Sequence, residues 1–411
     1  MSKKHSFAAN AKTMINPSAN GWIDKFFYEQ QSKPFVGTDL DLFYKNVRQT
    51  GFIYGHITGF ATEIPIISMG WLRDEVSKLA LLNSLYQIYC LTTQQNKPEN
   101  FVTAAVTFYN QMHPQGFNLF KKVMPSHSAA INLEKIIDDR VQTNDNIISK
   151  NFSHIVTNAL LFVDVLAFQR YLITGEIAEK YLKKIEETIV SIVTLALKAK
   201  ANKSQHDDLL IKLFEASVRY SKFSKVNIQN IETLELDYFE SPLEKYYLLD
   251  MAGLALWSDG IVEKNEAYFL HVLARDMQVS EAFVSDSIVA THDFITKHRK
   301  EIPYFNYSNP VKHFYDQTTQ LVVTLIYRNK KRLIKEISES KELMVLLAHS
   351  TTRDLDKAEK KKVKKQLLDI CKSIPSLTIF LIPGGSLLLP ILVKFIPQLL
   401  PSSFNENFNE E

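Results

Sequence analysis

The sequence has almost no cysteine. Its two, Cys90 and Cys371, stand far apart, so neither a disulfide framework nor a zinc site can be built from them. That usage fits a reducing compartment, and each thiol is expected as a small buried hydrophobe. The phosphate-cradling Gly-x-x-x-x-Gly-Lys loop is missing, as are Gly-x-Gly-x-x-Gly, Gly-x-Ser-x-Gly and His-Glu-x-x-His, which argues against an enzyme and against a bound cofactor. The eleven histidines are scattered. His292 and His298 come closest, and a spacing of six does not place them on one helical face. The first seventeen residues lack an apolar core, which excludes a secretory signal; they also lack acidic residues and arginine, and the missing arginine argues against a transit peptide.

Helix breakers are missing too. No proline lies between Pro125 and Pro242, and Gly175 is the sole glycine in that stretch. Apolar residues recur there at three- and four-residue spacing: Val156, Ala159, Leu160, Val163, Leu166 and Ala167, then Ile185, Ile189, Ile192, Val193 and Leu197. This is the period of packed helices. Strand alternation is nowhere sustained, and no Asn-Gly turn joins two alternating runs. The fold class is therefore all-α, a multi-helical body. At 411 residues and 45% hydrophobic content the chain can bury cores for two or three domains. Ser18 or Asn20 is expected to cap the helix that begins near Trp22. Gly51, Gly55 and Gly59 recur every fourth residue, which predicts one gapped helical face for close helix packing; His56, Glu63 and Pro65 argue against a membrane span there.

Between Tyr238 and Ile288 the pattern predicts three helices. Leu248, Leu249, Ala252, Leu256 and Trp257 stripe the first. Ser258-Asp259-Gly260 ends it, a second run starts near Asn265 or Glu266, and Ser280 is placed to cap the third. The Asp-Gly turn followed by glutamates resembles the TerB-like domains of tellurite-resistance proteins. That resemblance implies Asp259, Glu263 and Glu266 as candidate metal ligands. Turn chemistry and helix-dipole preference account for the same residues without a metal, and the oxygen spacing of a calcium loop is missing.

Charge is distributed unevenly. Net charge is +3, yet residues 328–372 carry 14 basic against 7 acidic residues. Lys360, Lys361, Lys362, Lys364 and Lys365 alternate with Leu355, Ala358, Val363, Leu367 and Ile370 in an amphipathic basic helix. Nucleic acid, anionic lipid and plain solvent are all open to such a helix. From Ile374 to Val393 there follow twenty residues without a charge, long enough to span bilayer hydrocarbon. Pro375, Pro383, Pro390 and Gly384-Gly385 would kink that helix or fold it into a re-entrant hairpin. A buried helix pair is the alternative. The lysine-rich flank would leave the body on the cytoplasmic side.

Pro383, Pro390, Lys394, Pro397, Pro401, Ser402 and Phe404 form the spacing Pro-x6-Pro-x3-Lys-x2-Pro-x3-Pro-Ser-x-Phe. This resembles the transmembrane signature of the LETM family, and the layout is similar to that of bacterial LETM-related biofilm-associated proteins. The resemblance implies cation–proton exchange or its regulation, and ribosome binding at the membrane. In the family an acidic residue follows the first signature proline by three positions. Here that position is Ser386, which argues against exchange, since a carboxylate is the natural intramembrane proton carrier. The family's ribosome-binding domain follows its membrane segment, whereas Phe404 is followed by only seven residues.

The expected organisation is thus a helical region over 1–235, a TerB-like segment over 236–300, a helical region over 301–372 ending in the basic helix, a LETM-like transmembrane segment over 373–404, and a tail over 405–411. The function expected is a non-enzymatic, membrane-anchored LETM-like protein linked to biofilm formation or cation homeostasis. The alternatives are a ribosome-binding protein at the membrane, or a cation/proton exchanger or its regulator. Membrane lipid is the expected partner, with the ribosome second and no specific DNA binding. The expected location is the bacterial inner membrane, or the mitochondrial one in a eukaryote.

Overall fold

A computed structural model describes residues 15–31, 39–112, 128–141, 158–176, 179–200, 230–257, 264–302 and 322–374, together with 211, 377, 392 and 396. Among them no strand occurs and helices dominate, as the uninterrupted helical periodicity predicts. The chain divides into two compact units. One is formed by Met1–Met69, Arg73–Val141 and Ile155–Arg299, the other by Gly70–Leu72, Gln142–His154 and Lys300–Glu411.

The first unit holds α1 (Trp22–Glu29), α2 (Leu40–Gln49), α3 (Arg73–Thr93), α4 (Pro98–Gln111), α5 (Ala129–Val141), α6 (Phe162–Thr174), α7 (Glu179–Ala199), α8 (Pro242–Leu256), α9 (Lys264–Asp276) and α10 (Glu281–His298). Helix α3 packs on α6, α4 on α5, and α8 on α7 and α10. The predicted stripes face inward: Ala159, Leu160, Val163, Leu166 and Ala167 are buried, as are Ile185, Ile189, Ile192, Val193 and Leu197. Each buried leucine, isoleucine or valine among them contributes about 1.5–3 kcal/mol through removal from water. Val156 lies outside the described residues.

Helix α3 is buried on every side from Ser77 to Tyr89, so its polar side chains must find partners within the protein. Asn83 Nδ2 and Gln87 Nε2 both donate to the Ala61 carbonyl, at 2.9 and 2.7 Å, and Lys78 pairs with Asp138.

Two buried carboxylates tie the helices together. Asp250 of α8 is fully enclosed. It accepts from Arg48 Nε (3.0 Å) and Nη2 (3.3 Å) and from the Tyr44 hydroxyl (2.6 Å), all from α2, and from Ser287 of α10. The Arg48 guanidinium also lies 4.7 Å from the Phe283 ring centroid. Asp164 of α6, equally enclosed, is held by Arg140 of α5, with Nε at 2.7 Å, and by the Tyr109 hydroxyl of α4 at 3.0 Å. A buried charge persists only when it is paired and hydrogen-bonded.

Two expectations require correction. Gly51, Gly55 and Gly59 do not line a helical face. Gly51 (φ 78°) and Gly55 (φ 72°) take the left-handed conformation and bracket a single 3₁₀ turn, Phe52–Tyr54. Glycine is required there because a side chain disfavours that backbone region. Nor do Ser18 and Asn20 cap α1. Its N-cap is Gly21 without a side-chain bond, and the orphan amides of Gly21 and Ile23 donate instead to the Glu134 carboxylate of α5, at 3.0 and 3.1 Å. The Ser18 hydroxyl is spent on Glu75. Ser280, by contrast, caps α10 as expected, accepting from Phe283 N.

The second unit holds a helical run over 322–328, then α11 (Lys330–Ser338), α12 (Lys341–Thr352) and α13 (Lys357–Ser373). Its core gathers Leu325, Ile326, Leu333, Ile337, Leu343, Leu347, Val363, Leu367 and Cys371, and is joined by Leu377, Leu392 and Ile396 from the uncharged run and its end.

Candidate functional site

The basic helix α13 starts where the sequence supplies a capping box. Asp356 Oδ1 accepts from Ala358 N (2.7 Å) and Glu359 N (2.8 Å), and Glu359 Oε2 accepts in return from Asp356 N (2.9 Å). Arg353 grips the same Glu359 with both terminal nitrogens, at 2.8 and 2.6 Å. These bonds, Arg353 first and the Asp356 amide second, lower the Glu359 carboxyl to a pKa of about 2.

The turn of α13 about its axis is set by burial. Val363, Leu367, Ile370 and Cys371 face the core; Leu355, just before the helix, is buried with them, while Ala358, expected on that face, is exposed. The Cys371 thiol is pushed up to about 12 by burial, so it is held as an unreactive thiol. Cys90, half-buried, is raised to about 12 by the same cause.

A second set of contacts ties α13 to its neighbours. Glu342, in the first turn of α12, accepts from Lys362 Nζ and Gln366 Nε2, each at 2.7 Å. Ser340, which caps α12 through Leu343 N, donates its hydroxyl to Gln366 Oε1 (2.9 Å). Arg332 Nη2 of α11 donates to the Ser373 carbonyl at 2.9 Å and closes the C-terminal end of α13.

All five flank lysines, Lys360, Lys361, Lys362, Lys364 and Lys365, are exposed, but they do not form one set. Lys362 is clasped by Glu342, whereas Lys357, which the sequence reading left out of the flank, is exposed beside Lys361 and Lys364. At about 100° per residue, Lys357, Lys360, Lys361, Lys364 and Lys365 share an arc of about 140°.

Pro383, Pro390, Lys394, Pro397, Pro401, Ser402 and Phe404 lie outside the described residues, as do Asp259 and Glu263. Among the described residues no helix is long and apolar enough to cross a membrane. Glu266 is in the first turn of α9 and is buried. Among the described residues it joins no group of three histidine, cysteine or acidic side chains close enough to share an ion. The fold does bring together one pair that sequence spacing could not reveal. The rings of His56 and His298 lie 5.5 Å apart beside Phe294, which is 4.9 Å from His298. His292 instead faces Trp257 at 4.6 Å.

The geometry defines an all-helical protein whose basic C-terminal helix leads into an uncharged run. Residues 355–411, starting at Leu355 just before α13, match the family model described as LETM1-like, RBD. The chain is 33% identical over 101 residues to the LETM1 domain-containing protein mdm28, mitochondrial, of Schizosaccharomyces pombe; the match covers 25% of this chain and 18% of that protein. It thus spans less than a fifth of that relative's length. No solved structure matches. The C-terminal segment of this chain, residues 355–411, is thus similar to the LETM1-like family.

Proposed function

We propose that the chain is a non-enzymatic membrane-associated protein of the LETM type. The observation that supports this most is the succession of the LETM1-like match at 355–411, the lysine-faced helix α13 and the twenty uncharged residues 374–393. In this reading the uncharged run is the anchor and α13 is its cytoplasmic lead-in. A link to biofilm formation or cation homeostasis belongs to the same proposal. Membranes from cells making the full chain are washed first with high salt and then with carbonate. Retention through both steps is expected; recovery in the initial soluble fraction would sink the proposal, and release by salt alone would replace the anchor with a peripheral contact.

A second reading, ribosome binding at the membrane, is favoured by the RBD description of the matched model. The full chain is sedimented with ribosomes at physiological salt. Co-sedimentation that is lost on neutralising the α13 lysines supports it, and an unchanged profile with and without ribosomes removes it.

A further inference from the structure

We infer that Lys357, Lys360, Lys361, Lys364 and Lys365 form a docking face for anionic lipid headgroups, and that Lys362 is not part of it. The inference rests on the membrane association proposed above and names the surface that would make the polar contact.

Four features carry it. First, the five lysines are exposed, on an arc that adjoins the buried stripe of Val363, Leu367, Ile370 and Cys371. Second, the acidic groups that hold α13 are hydrogen-bonded to other partners. Glu342 engages Lys362 and Gln366, and Glu359 engages Arg353. Asp369, four residues after Lys365, bonds to Lys372. Third, the arc covers less than half of the helix circumference, so the five groups can meet one charged plane. Fourth, the exposed basic residues of α13 are all lysine, with no aromatic residue between them. Nucleic-acid grooves characteristically use arginine forks and aromatic stacking platforms. Compact ammonium charges spread over two turns instead suit a plane of monovalent headgroups. The helix ends at Ser373, immediately before the uncharged run in the sequence.

Each basic residue near an anionic bilayer is worth about 1 kcal/mol, or about five-fold in partition. Five such residues set an upper bound of between about three and four orders of magnitude, and screening reduces the effect as the Debye length falls from about 10 Å at 0.1 M salt to about 3 Å at 1 M. The full chain is floated with vesicles of phosphatidylcholine alone and with vesicles containing phosphatidylglycerol. Preference for the anionic vesicles by at least about ten-fold at 0.1 M salt is expected, with its collapse at 1 M. Replacing the five lysines by glutamine (K357Q, K360Q, K361Q, K364Q, K365Q) is expected to abolish the preference. Replacing them by arginine should retain it, and Lys362→Gln alone should leave it unchanged. An equal helical circular-dichroism signal in all variants confirms that they fold.

A glutamine variant that keeps the preference overturns the inference, as does wild-type protein that binds both vesicles equally. The latter leaves the anchor intact, because binding to neutral vesicles reports the apolar segment alone. Loss of polyuridylate retention in the glutamine variant, with the lipid preference preserved, would assign the face to nucleic acid and also overturn it.

Discussion

Arg48 and Asp250 meet across 202 residues of sequence, with Nε of one 3.0 Å from Oδ2 of the other and both side chains almost wholly removed from solvent. The pair lies where α2, α8 and α10 converge, and the Tyr44 and Ser287 hydroxyls fill the remaining acceptor capacity of the carboxylate.

Removing one partner strands the other's charge in the interior, so Asp250→Ala is expected to destabilise the first unit by about 3–5 kcal/mol. Arg48→Met alone should cost a similar amount. The double variant should cost clearly less than the two together. Urea denaturation of the full chain followed by tyrosine fluorescence measures all three; strict additivity would refute the pairing.

Glu134 caps a helix to which it does not belong. Glu134→Ala leaves the amides of Gly21 and Ile23 without their acceptor, and a loss of about 1 kcal/mol is expected, in the range of other lost caps. Glu134→Gln retains one carbonyl acceptor and should lose less. Hydrogen exchange at the α1 amides reports the change locally, and faster exchange confined to α1 is the outcome expected.

Gly51 and Gly175 have the same left-handed φ of 78° but different surroundings. A methyl group at Gly175 meets nothing within 4 Å, whereas at Gly51 it meets the His56 carbonyl and two carbons of the Phe294 ring, the latter at 2.6 Å. Gly175→Ala should therefore cost only the conformational penalty of about 1–2 kcal/mol. Gly51→Ala should cost more, because backbone must move as well as side chain. Thermal melts of the two variants test the order, and equal shifts would be incompatible with the packed turn.

Glu359 titrates at about 2, below the ordinary 4.5, because Arg353 and the Asp356 amide favour its charged form. A depressed carboxyl pKa contributes stability that is present above 4.5 and is lost as pH falls from there through about 2. The start of α13 is therefore expected to loosen within that acid window. In Arg353→Gln the Glu359 titration should move back toward 4.5. Carboxyl-detected nuclear magnetic resonance against pH follows both, and a wild-type midpoint near 4.5 would contradict the bidentate contact.

Sequence periodicity revealed the elements whose cause is local. The Ile185–Leu197 stripe folds as the inward face of α7, Ser280 caps α10, and Val363, Leu367 and Ile370 bury as the basic helix requires. What it missed depends on distant partners. No spacing rule links Arg48 to Asp250, Gly21 to Glu134, or His56 to His298. The glycine period at 51, 55 and 59 misled because a four-residue repeat is shared by a helical face and by a turn closed by left-handed glycines. Lys362 was grouped with its neighbours because sequence order does not show that Glu342 reaches across from α12. Of the candidate site, the lysines and their apolar complement were legible, and the sorting of those lysines between two faces was not.

The bond from Arg332 to the Ser373 carbonyl also has a mechanical meaning. It fastens the last turn of α13 to α11 at the point where the uncharged run begins. A pull on the chain beyond Ser373 is therefore borne by two helices at once, and α13 resists unzipping from its C-terminal end. Arg332 thus acts as a strain relief, like the clamp that keeps a tug on a cable from reaching its connector.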